Sequence, residues 1–481
     1  MGNAASRHSD SLVAFSDEER VQLMTFWASC TSGAKSDRQK ATADLSRVEA
    51  ALQQRLSGSA LVARWLTAYF QETTRHASGQ SSTISLQGFA AGIFKLGKGT
   101  MDDRVDALRT LLEVNQISLF DLTQELLTIT VPAWFAGSDI PGAKAIHDIG
   151  DVQVATLGFL SIKLSRSTLD DALGLQTDTA KSQDWKRLLD PSTNIKSLSP
   201  DTFSDWFKKN ASFQTLVDTF ITIFFLTLDP FSLPPTAQER FRKSHVTSPK
   251  ILSTTTTFSR LLTPLQYYYL TIHLPHDCLT TRSPHTLIYS SHRDGNSWQI
   301  FQHRIENKGS TLIVIKDKDG KVFGGFAHEP WRADPKFYGS GSEFLFSLDP
   351  LKVYGSQGIN VNYMYFNYGR KSLANGLGMG GQVDYFGLYL SPDYGHGHSK
   401  AEPLCSTYGS PQLSGHQEFQ VDEMEVWLLR PVEVEDTGTR KSVLDRPEDV
   451  EFLEMSGRKM YSKEVRAPDV TDKRSIDIGR S

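Results

Sequence analysis

The sequence predicts an α+β fold, with a helical N-terminal region, a β-sandwich with flanking helices, and a C-terminal helix and tail. Three observations carry that prediction. Apolar residues recur at helical spacing through residues 12–230. From Leu287 to Trp427 they give way to short, aromatic-rich, β-like runs punctuated by glycine. Beyond Pro431 the chain turns polar and charged, without a balanced core.

Composition sets the class. The 481 residues suit roughly three domains. A hydrophobic content of 39% and a charged content of 22% are close enough to globular averages for ordinary cores. Lys and Arg number 51 against 55 Asp and Glu, a net charge of −4, so overall charge does not draw the molecule onto nucleic acid or anionic lipid. Cys30, Cys278 and Cys405 are too few and scattered for a disulfide framework, and no CxxC pair offers zinc a site. That usage fits a reducing compartment such as the cytosol. The most apolar stretch, Phe220 to Leu228, is about half the ~20 residues a membrane span needs, so it reads as a buried core helix.

Residues 1–11 carry a lipidation signal. Met1-Gly2-Asn3-Ala4-Ala5-Ser6 fits N-myristoylation, with Gly2 as acceptor after Met1 is removed and Ser6 at the required spacing. One myristoyl chain binds membranes only reversibly, on the order of 10⁴ M⁻¹, and Arg7, His8 and Arg20 are too few for a polybasic second signal. The expectation is a covalent N-myristoyl group on Gly2, no other cofactor, and a membrane-resident protein that completes the anchor.

In residues 12–230, Ser16 and Glu19 form a capping box ahead of Val21, Leu23, Met24, Phe26 and Trp27. Helical periodicity continues over Leu45–Tyr69, Leu86–Leu96, Val105–Leu112, Leu119–Ile129 and Ala143–Leu164. Ser199-Pro200-Asp201 starts a further helix, with proline in its first turn. Helix–loop–helix pairs raise the question of calcium. Placing Ile84 at the apolar position of an EF-hand loop puts Ala77, Gly79 and Ser81 where carboxylates belong, and Gly88 where the bidentate Glu belongs. Any EF-hand-like unit here is structural and holds no metal.

Pro230, Pro234 and Pro235 mark 231–244 as a linker to residues 245–430. There Leu312–Ile315, Val322-Phe323, Phe344–Phe346, Tyr363–Phe366, Tyr385–Tyr389 and Met424–Trp427 read as strands, with Asp319-Gly320 as a hairpin turn. The tail, 431–481, holds one helix near 445–457, capped by Asp445 and ended by Gly457, with Val450 and Leu453 on its apolar side. It reads either as a docking helix or as a solvated tail.

Chemistry motifs fail on context. Gly376-Leu-Gly-Met-Gly-Gly381 matches GxGxxG, but a β-run follows where a dinucleotide site needs a helix. Gly92 to Gly99 resembles a P-loop without its hydroxyl. His396-Gly-His398 and His273-x-x-His276 imply no third metal ligand. Cys405 and Cys278 each have a histidine nearby in sequence, but a catalytic thiol needs a base and an orienter in space, so buried small hydrophobes are the better account.

A series of ordered blocks remains: Val314-Ile315-Lys316-Asp317, Phe323-Gly324-Gly325-Phe326-Ala327 with Trp331, Phe344-Leu345-Phe346, and Gly378-Met379-Gly380-Gly381. They continue with Tyr385-Phe386-Gly387-Leu388, Gly397-His398-Ser399, Thr407-Tyr408 and Glu423-Met424-Glu425-Val426-Trp427. On these blocks residues 245–430 resemble the TLDc-domain family. With the Met1-Gly2-Asn3 start, the helical first half and the tail, the chain is similar to myristoylated, lysosome-associated members of that family. The resemblance implies a degenerate EF-hand-like helical region, binding to the vacuolar-type proton ATPase, and a role in mTOR signalling at lysosomal membranes. It also implies a link to oxidation resistance, and it carries over no catalytic residues.

The expected function is a non-enzymatic, lipid-anchored adaptor on the cytoplasmic face of lysosomes and in the cytoplasm. A thiol-based oxidation-resistance enzyme using Cys405 or Cys278 is the alternative. Glu423, Glu425, Trp427, Val450 and Leu453 are candidate partner contacts. In a strand, Glu425 and Trp427 share one face while Met424 and Val426 point inward. The competing reading is a final strand whose tryptophan covers the sandwich edge.

Overall fold

Ser16 starts the first helix as its sequence dictates. Its hydroxyl accepts the Glu19 N–H at 3.2 Å, and the Glu19 carboxylate accepts the Ser16 N–H at 2.8 Å. The computed structural model describes residues 12–31, 42–56, 58–78, 82–135, 149–160, 200–226, 251–252, 258–279, 283–370 and 373–432. Gly2, the linker 231–244, and the 445–457 helix with Val450 and Leu453 lie outside the described residues.

After α1 (Asp17–Cys30), the single helical run expected over Leu45–Tyr69 is two helices, α2 (Leu45–Arg55) and α3 (Ala60–Ser78). Gly58, at φ +91°, takes a left-handed conformation between them, which costs glycine little and ends a helix. Strands β1 (Thr42–Asp44) and β2 (Thr83–Ser85) pair antiparallel with Ala43 opposite Ile84, immediately ahead of α2 and α4 (Leu86–Gly97). Then come α5 (Met101–Asn115), α6 (Leu119–Phe135), α7 (Ile149–Leu160), α8 (Pro200–Lys209) and α9 (Ala211–Ile221), which runs into a π-helical turn at Thr222–Leu226. Phe220, Phe224 and Phe225 are buried, and no helix of the described residues is long and apolar enough to cross a membrane.

The sandwich half contains β3 (Ile251–Leu252), α10 (Pro264–Thr271), α11 (His276–Leu279), β4 (His285–Ser290), α12 (Ser291–Asp294) and α13 (Trp298–Ile305). The β-run follows: β5 (Gly309–Asp317), β6 (Val322–Ala327), β7 (Asp334–Tyr338), β8 (Phe344–Leu348) and β9 (Leu351–Gly355). It ends with β10 (Met364–Asn367), β11 (Gly376–Met379), β12 (Leu388–Leu390), β13 (His396–His398) and β14 (Glu418–Pro431). The strands hydrogen-bond in the order β7-β10-β11-β12-β13-β14-β5-β6-β8-β9, with β4 also on β14 and β3 on β4. The Asp319-Gly320 turn joins β5 to β6 as expected, with Gly320 at φ +81°.

β14 is the seam of this path. Its first residues pair with β13, and from Val421 onward it pairs with β5. The path folds into two layers. Ile313, Ile315, Phe323 and Leu345 of one layer share a core with Met364, Leu377, Met379 and Leu388 of the other. A side chain at Gly325 would strike Met379, so glycine lets the layers approach. The opposite face of the first layer, with Leu312, Val314, Phe346 and Trp427, joins the core of the helical half. There Phe159 of α7 stacks on Tyr268 of α10 at 5.9 Å between ring centres. Asn210 Nδ2 and Trp206 Nε1 donate to the Phe159 and Leu160 carbonyls at the end of α7, groups a helix terminus would otherwise leave unpaired.

The expected strand at Tyr385–Tyr389 needs correction. Only Leu388–Leu390 is a strand, and Tyr385 belongs to a turn that closes back on Gln382. Gly380, Gly381 and Asp384 all take positive φ there, which ends pairing.

Candidate functional site

The strand β14 places the sequence-selected residues on alternate faces. Met424 and Val426 enter the core between the layers, and Trp427 enters the core on the other side. Trp427 is 0% exposed, against Phe258 at 5.1 Å and Tyr267 at 5.7 Å between ring centres. Glu425 is 2% exposed and binds the segment before α10, accepting the Arg260 N–H at 2.9 Å and the Ser259 hydroxyl. Burial pushes its carboxyl up, against the downward pull of those two donors. Glu423 ion-pairs with Arg260 at 2.9 Å. The Glu-x-Glu-x-Trp pattern is therefore a latch that fastens residues 258–260 to the last strand. Trp427 and Glu425 are corrected from surface contacts to interior ones, because this face of the sheet is covered by residues 258–260 and α10. Val450, Leu453 and Gly2 lie outside the described residues.

Apolar surface lies instead at one end of the sandwich, in loops 356–363 and 380–387. They flank the paired strands β10 and β11, with Met364 opposite Met379. Val361 is 69% and Tyr385 60% exposed, and Ile359 and Val383 also face solvent. These loops are fixed. Asn362 Nδ2 donates to the Gly381 carbonyl at 2.7 Å, Gly381 N–H donates to Thr407 Oγ1 at 2.9 Å, and that hydroxyl donates to Asn360 Oδ1 at 2.7 Å. Gly381 is at φ +77°, and a Cβ there would meet the Tyr385 carbonyl. The sequence does not single this apolar patch out as a surface, because Gly-Ile-Asn-Val-Asn reads only as loop and Tyr385 as the start of a strand.

The thiols are poorly placed for catalysis. Burial pushes Cys278 up to about 12 and raises Cys405 as well, disfavouring the thiolate that does the chemistry. Cys405 packs under Gly380 and Gly387, where a Cβ would lie 2.7 and 2.8 Å from its sulfur. His396 is exposed and bonded to Asp393, whereas His398 is buried and stacked on Tyr389 at 4.6 Å. Gly376 to Met379 is a strand, with no helix after it to meet a pyrophosphate. Gly88, where calcium would need a bidentate carboxylate, is packed shut: a Cβ there would lie 2.7 Å from Thr74 Cα.

Comparison with known proteins fits this architecture. The TLDc domain family model matches residues 255–430. The human MTOR-associated protein MEAK7 is 30% identical over 97% of this chain and 99% of its own length. Its chicken counterpart is 45% identical over 42% of this chain and 43% of its own length, so that match spans less than half of the relative. The rat Oxidation resistance protein 1 is 34% identical over 36% of this chain and 19% of its own length. The near end-to-end match joins the helical half to the sandwich in one homologous unit, and the chain belongs to the TLDc-domain family of MTOR-associated MEAK7 proteins.

Proposed function

We propose that the chain is a non-enzymatic, lipid-anchored adaptor of mTOR signalling at the cytoplasmic face of the lysosomal membrane, with a further pool in the cytoplasm. An N-myristoyl group on Gly2 supplies a weak, reversible hold, and the sandwich supplies the rest by binding the vacuolar proton ATPase. The observation that carries this reading is the near end-to-end match to a protein named as MTOR-associated. The fixed apolar loops around Val361 and Tyr385 support it with a preformed docking surface, and the buried thiols weigh against redox chemistry. In this reading the helix pairs around β1 and β2 are an EF-hand-like scaffold without calcium, and the 445–457 helix is a second contact.

Native immunoprecipitation of the tagged full chain from solubilised lysosomal membranes tests the proposal. Pump subunits are expected in the precipitate. Their absence with both intact and dissociated pump overturns the reading. Gly2→Ala is expected to lose alkyne-myristate label and membrane share while still capturing the pump in detergent.

A further inference from the structure

Asp277, Cys278 and His328 come together where α11 meets the strand ends at residues 328 and 430. One ligand atom from each lies within 4.8 Å of the other two. Cys278 is fully buried, and Asp277 and His328 reach towards solvent. His328 is held at both ring nitrogens, Nδ1 by the Ser340 hydroxyl at 2.9 Å and Nε2 by Asp277 Oδ2 at 3.0 Å. Arg430 of β14 ion-pairs with the same Oδ2. The other carboxylate oxygen, Oδ1, is shielded from water and has no hydrogen-bond partner. Leaving a carboxylate oxygen buried and unpaired is costly, and native folds seldom tolerate it without a use.

Sulfur, imidazole nitrogen and carboxylate oxygen form a donor set that suits a borderline-soft divalent cation. We infer that Asp277, Cys278 and His328 form a zinc site that clips the α11 turn to the ends of β6 and β14. Oδ1 of Asp277, Sγ of Cys278 and Nε2 of His328 are the ligands, and water from the open side is the fourth. Tetrahedral zinc places such donors roughly 3.3–3.6 Å apart, so the cluster closes by about 1 Å on binding. Zinc replaces the Cys278 thiol proton, which leaves to solvent, and takes the place of the Nε2–H···Oδ2 bond; the imidazole stays neutral by carrying its proton on Nδ1, where it donates to Ser340 Oγ, and no electrons move. Arg430 stays on Oδ2 and balances the carboxylate, while Ser340 on Nδ1 orients the imidazole as outer partners of ligating histidines do.

The test uses the purified full chain, stripped of metal and titrated with Co²⁺ and then Zn²⁺. One Co²⁺ per chain is expected, with a thiolate-to-cobalt absorption band that Zn²⁺ bleaches and a rise in unfolding temperature. Cys278→Ser abolishes the band. His328→Gln, folded by circular dichroism, weakens Co²⁺ binding by more than about tenfold. Cys405→Ser leaves both intact. The inference is overturned if the folded wild-type chain takes up no stoichiometric Co²⁺, if the band persists in Cys278→Ser, or if His328→Gln binds as tightly as wild type. Pump capture is a separate readout, so failure here leaves the adaptor reading standing.

Discussion

The latch on β14 and the loops at the end of the sandwich make an instructive contrast. Glu423, Glu425 and Trp427 stand out in the sequence, yet the chain satisfies them itself: two carboxylates hold Ser259 and Arg260, and the indole packs against Phe258 and Tyr267. Ile359, Val361, Val383 and Tyr385 sit among glycines and polar residues, and they remain uncovered. A charged and aromatic cluster is no guide to a partner when the protein's own backbone supplies the bonds. Apolar side chains held outward by a hydrogen-bonded loop are the better guide.

Substitutions separate the two regions. Trp427→Ala empties a fully buried ring position and is expected to cost about 3–5 kcal/mol, read as a lower urea midpoint. An unchanged midpoint would return Trp427 to the surface. Gly381→Ala forces a side chain into φ +77° against the Tyr385 carbonyl, and a loss of roughly 1–3 kcal/mol is expected from thermal unfolding.

Glu425 gives the comparison a pH signature. Its folded carboxyl titrates above the ordinary value of 4.5, so the folded state keeps a proton that the unfolded chain has released. Stability therefore falls as pH rises from the unfolded carboxyl's range through the folded value. Denaturation midpoints of Glu425→Gln should lose this part of the slope, and equal slopes in both proteins would show that the carboxyl is not buried as described. The double change Val361→Ser with Tyr385→Ser has the smallest expected effect on folding, under about 0.5 kcal/mol, because both side chains face water. The same variant is expected to lose pump subunits in the lysosomal immunoprecipitate. Retained capture would move the docking surface elsewhere.

Local signals were legible in the sequence. The Ser16–Glu19 capping box, the proline-led helix at Pro200 and the Asp319-Gly320 hairpin are each fixed by neighbours a few residues away. Alternation along β14 correctly separates Met424 and Val426 from Glu425 and Trp427. It does not say which face is wet, and here neither is, because helices cover one side and a second sheet the other. The break at Gly58 was hidden because apolar spacing runs on across it. The Asp277–Cys278–His328 cluster was invisible for a different reason: His328 lies fifty-one positions beyond Asp277 and meets it only through the fold.

The last strand to be made is also the one that both sheets require. While a ribosome is still short of Glu418, β13 and β5 have each been synthesised without the neighbour that will sit between them. The nascent chain then presents open strand edges on β13, β5 and also β4, which pairs with β14 too, the kind of surface that invites pairing with other chains. Closure must wait until residues up to Pro431 have cleared the exit tunnel. A nonsense codon before 418 would therefore leave both sheets unfinished.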